Sequence, residues 1–199
     1  MKKDNSSKRN RLSPFVGSGA SNHSNKERVA DDFYSTDPIA VDYLLQYETF
    51  NHNIWEPACG TGNISKRLED YGYNVLSTDI IDRGFGGGRI DFLQCHKPFK
   101  GDIITNPPFN KSMEFVTKAL ELSDRKVAMF LKLQFLETKK RYDHIFKDKP
   151  LARVYVFVKR IRCFRNDVWN NDTSAVAYAW FIWDKEYSGE TRIRWIDNE

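Results

Sequence analysis

The sequence predicts an α/β fold, a doubly wound and mainly parallel sheet with helices on both faces. Three observations predict it. Short apolar runs alternate with stretches of helical periodicity from about residue 38 to about residue 147. Most of those runs are apolar throughout rather than alternating, as strands buried on both faces are. From Leu151 onward, strand-like runs follow one another with no helix between them, so at least one antiparallel pair should close the sheet.

The elements follow in order. Residues 1 to about 30 are rich in Ser, Asn, Lys and Arg with little to bury, and read as a flexible basic arm. That arm is either a solvated tail or a nucleic-acid contact. Thr36 or Asp37 can cap a helix whose first turn holds Pro38, and Ile39, Tyr43, Leu44 and Tyr47 recur at helical spacing. Asn53 to Glu56 is a strand, 57–62 a tight turn, and a helix follows with Asn63 as its cap and Gly72 as its stop. Asn74 to Thr78 is the next strand, ending at Asp79. A glycine-rich connector, 83–89, leads to a brief strand ending at Asp91-Phe92. Asp102 to Thr105 is a buried strand that Pro107 terminates, because proline has no N–H for a central ladder. Met113, Val116, Ala119 and Leu120 mark a helix, Lys126 to Leu131 a strand, and 137–147 a helix of mixed polarity. Leu151 to Val158, Ala175 to Trp183 and Arg192 to Ile196 are the late strands.

Composition sets bounds. A chain of 199 residues is one domain, 31–199, behind the arm. Its formal charge of +4 permits a nucleic-acid partner without demanding one. Cys59, Cys95 and Cys163 are odd in number and scattered, so neither a disulfide framework nor a metal site is indicated, and a reducing compartment is expected. No apolar run approaches the roughly 20 residues of a membrane span, and the N-terminus has no apolar core of a signal peptide.

Two turns carry chemistry. In 56–62, Gly60 and Gly62 permit close backbone approach at the end of the first sheet strand. The third glycine of the dinucleotide fingerprint is missing, and so is the lysine of a phosphate loop. Asp79 ends the next strand, where a carboxylate can accept from both hydroxyls of a ribose. The pair suits a nucleoside cofactor without a pyrophosphate. In Asn106-Pro107-Pro108-Phe109, an amide, stiffened free carbonyls and an aromatic face meet at a strand end, which suits a planar group bearing an NH2.

Glu56-Pro-Ala-Cys-Gly-Thr-Gly-Asn63, then Asp79, then Asn106-Pro-Pro-Phe109 resembles the S-adenosylmethionine-dependent DNA adenine-N6 methyltransferases. Asp32 to Pro38 resembles the entry segment that precedes their cofactor motif. The segments 131–137 and 179–184 are similar to small, phage-type members, and the likeness spans about residues 32–185. The resemblance implies a Rossmann-like class I methyltransferase fold, a mostly parallel seven-stranded sheet with an antiparallel last strand. It implies that Tyr34, Thr36 and Pro38 wall the methionine end of S-adenosylmethionine. Glu56, Ala58, Gly60, Gly62 and Asn63 would lie along its amino acid and ribose, and Asp79 would take the ribose hydroxyls. Ile80 would pack on the adenine, with Asp91 accepting from its amino group beside Phe92. Tyr34 and Ile80 also fit a plain core, and Asp91 a solvated strand end.

The chemistry expected of such a site is direct methyl transfer to an adenine N6 that has left the helical stack. Asn106 and Pro107 would accept from the amine, Pro108 would stiffen the turn and Phe109 would stack on the base. The loop 159–165 supplies Lys159, Arg160, Arg162 and Arg165, and it and the residues to Thr173 are expected to touch nucleic acid; a solvated rim or a dimer contact is the alternative. The expected partner is DNA, double- or single-stranded, with RNA less favoured, no membrane, and a monomer or homodimer. The setting would be the cytoplasm of a bacterium or phage-infected host. An RNA adenine or protein glutamine methyltransferase, or a catalytically silent nucleic-acid-binding module, are the competing readings. No separate target-recognition domain fits in the chain.

Overall fold

The computed structural model describes residues 33–149, 151–165, 167–168 and 176–199. The arm 1–30 and the residues around Thr173 lie outside the described residues. The strands are β1 (Tyr34–Thr36), β2 (Asn53–Glu56), β3 (Asn74–Ser77), β4 (Asp102–Thr105), β5 (Lys126–Lys132), β6 (Arg153–Phe157), β7 (Cys163–Arg165), β8 (Tyr178–Asp184) and β9 (Arg192–Ile196). The helices are α1 (Ile39–Leu45), α2 (Asn63–Asp70), α3 (Ser112–Leu122) and the single turn α4 (Lys139–Arg141).

Seven strands form one sheet in the order β3-β2-β4-β5-β8-β6-β9. All neighbours are parallel except β8, which runs antiparallel to both β5 and β6. The reversed strand is therefore inserted beside β5, and β9 follows it in sequence to pair parallel with β6 at the sheet edge. The central strands are apolar through their middles because both faces are covered, and the two-residue period sorts these side chains between two cores. Ile103, Val127, Met129, Phe181 and Trp183 meet Phe115, Val116, Ala119 and Leu122 of α3 on one face. Ile54, Ile104, Ala128, Phe130, Trp180 and Ile182 meet Ala40, Val41 and Leu44 of α1 and Ile64 and Leu68 of α2 on the other. Each such wholly buried aliphatic side chain contributes roughly 1.5–3 kcal/mol. Trp180 is fully buried and its indole N–H donates to the Ala40 carbonyl at 2.8 Å, tying α1 to the sheet.

An ionic cluster closes the end of the sheet where β5 starts. Glu48 accepts from Lys126 at 2.7 Å, from Tyr155 at 2.7 Å and from Arg153. Burial alone would raise the Glu48 pKa, but these bonds outweigh it and hold the carboxyl below its ordinary range.

Four elements depart from the sequence reading. Thr36 does not cap α1, because it belongs to β1; Asp37, the other candidate, accepts from the Ile39 N–H at 3.2 Å. Asn63 does not cap α2; Gly62 holds that position at φ 87°, and Asn63 is the first helical residue. The expected helix over 137–147 is one α turn followed by a wider π turn, Tyr142–Phe146. Only Ile145 among those residues is buried, so there is no apolar stripe to hold a longer helix. The strand expected to end at Asp91-Phe92 is reduced to a bridge between Asp79 and Arg89, after which Phe92–Gln94 makes one 3-10 turn.

Candidate active site

The site lies at the C-terminal ends of β2 and β4, where an open parallel sheet leaves a crevice. β2 delivers Glu56, and the turn after it folds back against β3: the Cys59 N–H donates to the Thr78 carbonyl at 3.0 Å, and the Gly62 N–H to the Cys59 carbonyl at 2.8 Å. Gly60 and Gly62 have φ of 55° and 87°, and a Cβ at either would overlap an aromatic ring, Phe33 at Gly60 and Phe85 at Gly62. Only glycine satisfies both the backbone and these neighbours. The 83–89 connector is thus more than a spacer. Phe85 rests on the turn, and the Gly87 N–H donates to the Ser77 carbonyl at 2.7 Å.

Asp79 pins the turn from the other side. Its Oδ2 accepts from the Gly60 N–H at 2.9 Å, its Oδ1 from the Ile81 N–H at 2.9 Å, and the Arg83 guanidinium lies 3.4 Å from Oδ1. A carboxylate offers about four lone-pair positions, so it retains acceptor capacity for a hydroxyl beside the two backbone donors.

Glu56 is buried at the floor of the site. Burial is the largest cause that pushes its pKa up to about 8; a Ser65 hydroxyl bond opposes it, and the nearby Asp79 charge adds to the rise. Ser77 donates in turn to Ser65 at 2.6 Å. At neutral pH the carboxyl is held largely protonated until a cation reaches it.

The second turn supplies Asn106. Its Nδ2 donates to the Tyr34 carbonyl at 3.1 Å and to the Thr36 hydroxyl at 2.9 Å. A backbone carbonyl can only accept, so this fixes which end of the amide is nitrogen. The opposite end, Oδ1, is buried with no hydrogen-bond partner among the described residues. An unpaired buried acceptor costs about 1–3 kcal/mol. Thr36 and Tyr34 reach Asn106 because β1 pairs antiparallel with β7, Tyr34 opposite Arg165 and Thr36 opposite Cys163. That ribbon draws the 159–165 loop to the site. Ile161 and Phe164 are buried and anchor it, while Lys159 and Arg160 are exposed. Arg162 lies 3.5 Å from Asp37 and over the Phe164 ring.

One cleft brings together Tyr34, Thr36, Glu56, Ala58, Asn63, Asp79, Ile80, Asn106 and Pro108. The Asn63 Nδ2 donates to the Thr36 carbonyl at 3.3 Å, joining α2 to β1. Gly60 and Gly62 shape the turn beneath. Pro38, Pro107, Asp91 and Phe92 do not line this cavity. Pro38 precedes α1, and Pro107 is buried at the strand end. The Asp91 carboxylate accepts from the Leu93 N–H at 3.0 Å, and Phe92 is buried in the core against Trp55 and Phe115. Phe109 stands beside the cavity. Its ring is 5.2 Å from Tyr34 and 5.6 Å from Tyr178, with the Lys132 ammonium 4.3 Å from its centroid.

The cavity also holds residues that the sequence reading missed: Phe33, Thr61 and Arg83. The Arg83 guanidinium lies 4.3 Å over Phe33, and the Thr61 hydroxyl is a second buried polar atom without a partner among the described residues. Thr61 was discoverable from its place between two glycines and Phe33 from its place in the entry segment 32–38; nothing local in the sequence marks Arg83. No group of His, Cys, Asp and Glu among the described residues is arranged to hold a metal. No helix among them is long and apolar enough to cross a membrane.

No protein-family model matches the chain, and no curated protein matches it. Solved structures do. A protein of Pyrococcus horikoshii assigned as an RNA methyltransferase aligns at TM-score 0.51 and 16% identity over 74% of this chain and 81% of that one. The 23S rRNA methyltransferase ErmE aligns at 0.51 and 15%, over 76% of this chain and 69% of that one. A dimethyladenosine transferase of Plasmodium falciparum aligns at 0.50 and 14%, over 76% and 63%. At these identities the likeness establishes the fold, a Rossmann-like class I methyltransferase fold.

Proposed function

We propose that this chain is an S-adenosylmethionine-dependent methyltransferase acting on the N6 amine of adenine in nucleic acid, with DNA as its substrate. The observation that carries the reading is the Asn106 amide, clamped through its nitrogen while its buried oxygen has no donor among the described residues. An acceptor kept empty at a cost fits a substrate that brings the donor, and an exocyclic amine does.

The residues present fit the cofactor. Gly60 and Gly62 leave a cradle that any side chain would fill. Asp79 offers acceptors for a ribose, and the Thr61 hydroxyl, unpaired among the described residues, lies in the same cavity. Glu56, neutral while alone, would ionise against an α-ammonium. Ile80, 55% exposed, offers an apolar plate for a purine. When bound, S-adenosylmethionine supplies an electrophilic sulfonium methyl, so no covalent enzyme intermediate is required.

The protein's own part is alignment. An adenine amine is a weak nucleophile because its lone pair is shared with the ring. A hydrogen bond accepted by Asn106 Oδ1 favours a pyramidal nitrogen and localises that pair. The Pro107 carbonyl is assigned the amine's second hydrogen. Asn106 cannot rotate away, because Tyr34 and Thr36 hold its other end, so little reorganisation accompanies the reaction. Phe109 steadies the base. Lys159, Arg160 and Arg162 contribute a basic rim beside the ribbon, suited to a phosphate backbone, and Arg165 is assigned to the same contact. Residues 31–199 are assigned to a single catalytic domain.

RNA is the second reading, favoured by the RNA methyltransferases among the proteins of like fold. Asn106→Ala tests the common mechanism. Turnover should fall about 10²–10³-fold, as when one preorganised polar contact to a reacting group is removed, while calorimetric affinity for S-adenosylmethionine stays within about twofold. Lost cofactor binding with intact turnover of the bound enzyme would refute the role.

A further inference from the structure

A second pocket is lined by Phe109, Ser112, Leu131, Lys132, Gln134, Phe135 and Arg141. We propose that it binds the phosphodiester next to the target adenine on the substrate strand. This rests on the nucleic-acid reading above and assigns the strand its path.

Both charged residues lining the cavity are cations. Neither Lys132 nor Arg141 has a carboxylate within ion-pair distance among the described residues, whereas Lys126, Arg125 and Arg153 all do. Each cation is laid on an aromatic ring, Lys132 over Phe109 at 4.3 Å and Arg141 over Phe135 at 4.7 Å. Cation–π contact fixes direction without neutralising charge, so both heads are positioned and still want an anion.

Arg141 is held further. Its Nη1 donates to the carbonyls of Gln134 and Glu137, at 2.9 and 3.1 Å, leaving its other guanidinium edge unspent. The turn that does this is strained: Thr138 has φ 92°, a conformation that a β-branched residue adopts at a cost of about 1–3 kcal/mol. The Thr138 hydroxyl accepts from the Arg141 N–H, closing the turn. Ser112 and Gln134 add polar groups at the cavity wall.

Placement selects the ligand. Tyr34 lines the first cavity and Phe109 the second, and their rings are in contact. A base extruded to Asn106 stays covalently tied to its flanking phosphates, so one of them must lie within a nucleotide step of Phe109. Two unpaired cations at that distance match a phosphodiester; a neutral or cationic ligand would leave them uncompensated.

The test is binding of a short labelled adenine-containing DNA strand by the full chain, as a function of salt. Lys132→Gln with Arg141→Gln should raise the dissociation constant about tenfold and flatten the log–log salt slope by about 0.7 to 1, one phosphate's worth. S-adenosylmethionine affinity should not change, the thermal midpoint should fall by only a few degrees as the Arg141 carbonyl bonds are lost, and Lys132→Arg should retain binding. In wild type, a methylphosphonate beside the target adenine should reproduce the loss, and in the double variant it should add nothing. Unchanged affinity and slope, or additive losses, would overturn the proposal. If the wild type methylates DNA and the variants bind like it, the subsite alone is wrong. If binding depends on these cations but no nucleic acid is methylated, the proposed function fails and the subsite stands.

Discussion

Replacing Glu56 by Gln should make the protein more stable at pH 8 and less able to bind its cofactor. The carboxyl is 2% exposed, and burial raises its pKa from 4.5 to about 8. A folded pKa above the unfolded value means that the native state binds the extra proton. The associated stability is fully present below about pH 4.5 and is lost as pH rises through 8. Between those limits the slope is about −1.4 kcal/mol per pH unit, and the whole window amounts to roughly 4–5 kcal/mol. Gln has nearly the same shape, keeps an oxygen for the Ser65 hydroxyl and cannot ionise, so it removes this term. Urea denaturation from pH 5 to 8.5 measures it: the wild-type minus variant difference should decline steadily by several kcal/mol, other titrating groups cancelling. Cofactor binding by wild type near pH 6.5 should release close to one proton, seen by calorimetry in buffers of different ionisation enthalpy, and the variant should release none. Parallel stability curves would refute the reasoning about Glu56.

Three further outcomes follow from the same geometry. Thr36→Val removes one of the two acceptors that clamp Asn106 while keeping its shape; turnover should fall about fivefold and stability by about 1 kcal/mol, checked by steady-state kinetics and thermal melts. Gly62→Ala places a methyl against the Phe85 ring at φ 87° and should cost about 1–3 kcal/mol, with cofactor affinity weakened at least tenfold in a titration. Glu48→Gln breaks the cluster with Lys126 and Arg153 and should cost roughly 3–5 kcal/mol by chemical denaturation. Because the Glu48 pKa is held below 4.5, that cost should be present above about pH 4.5 and shrink as pH falls below it.

The central sheet was legible because its signals are local. Ile103 and Ile104 belong to an uninterrupted apolar run that Pro107 ends, and Gly60 and Gly62 punctuate a strand-to-helix turn. Asn53–Glu56 and Arg192–Ile196 emerge with the boundaries expected. The ribbon of β1 and β7 was not legible. Three-residue strands carry no measurable period, and their pairing joins Tyr34 to Arg165 across most of the chain. Yet that ribbon clamps Asn106. The helix expected over 137–147 failed for the opposite reason: its composition is helix-compatible, but tertiary burial is offered only to Ile145. Motif residues were brought together where the backbone itself forms the crevice, as at Glu56, Asp79 and Asn106. Asp91 and Phe92 were placed by a strand that shortened to a bridge, and they serve a 3-10 turn and the core instead. Lys132 and Arg141 could not be found from spacing, since only the fold sets them on one cavity.

The most direct test incubates the full chain with methyl-labelled S-adenosylmethionine and, separately, DNA, RNA and protein, then digests the products and identifies the labelled nucleoside or residue. The expected product is N6-methyladenine in DNA, abolished by Asn106→Ala. Label on glutamine, on a different base position, or on no acceptor at all would contradict it.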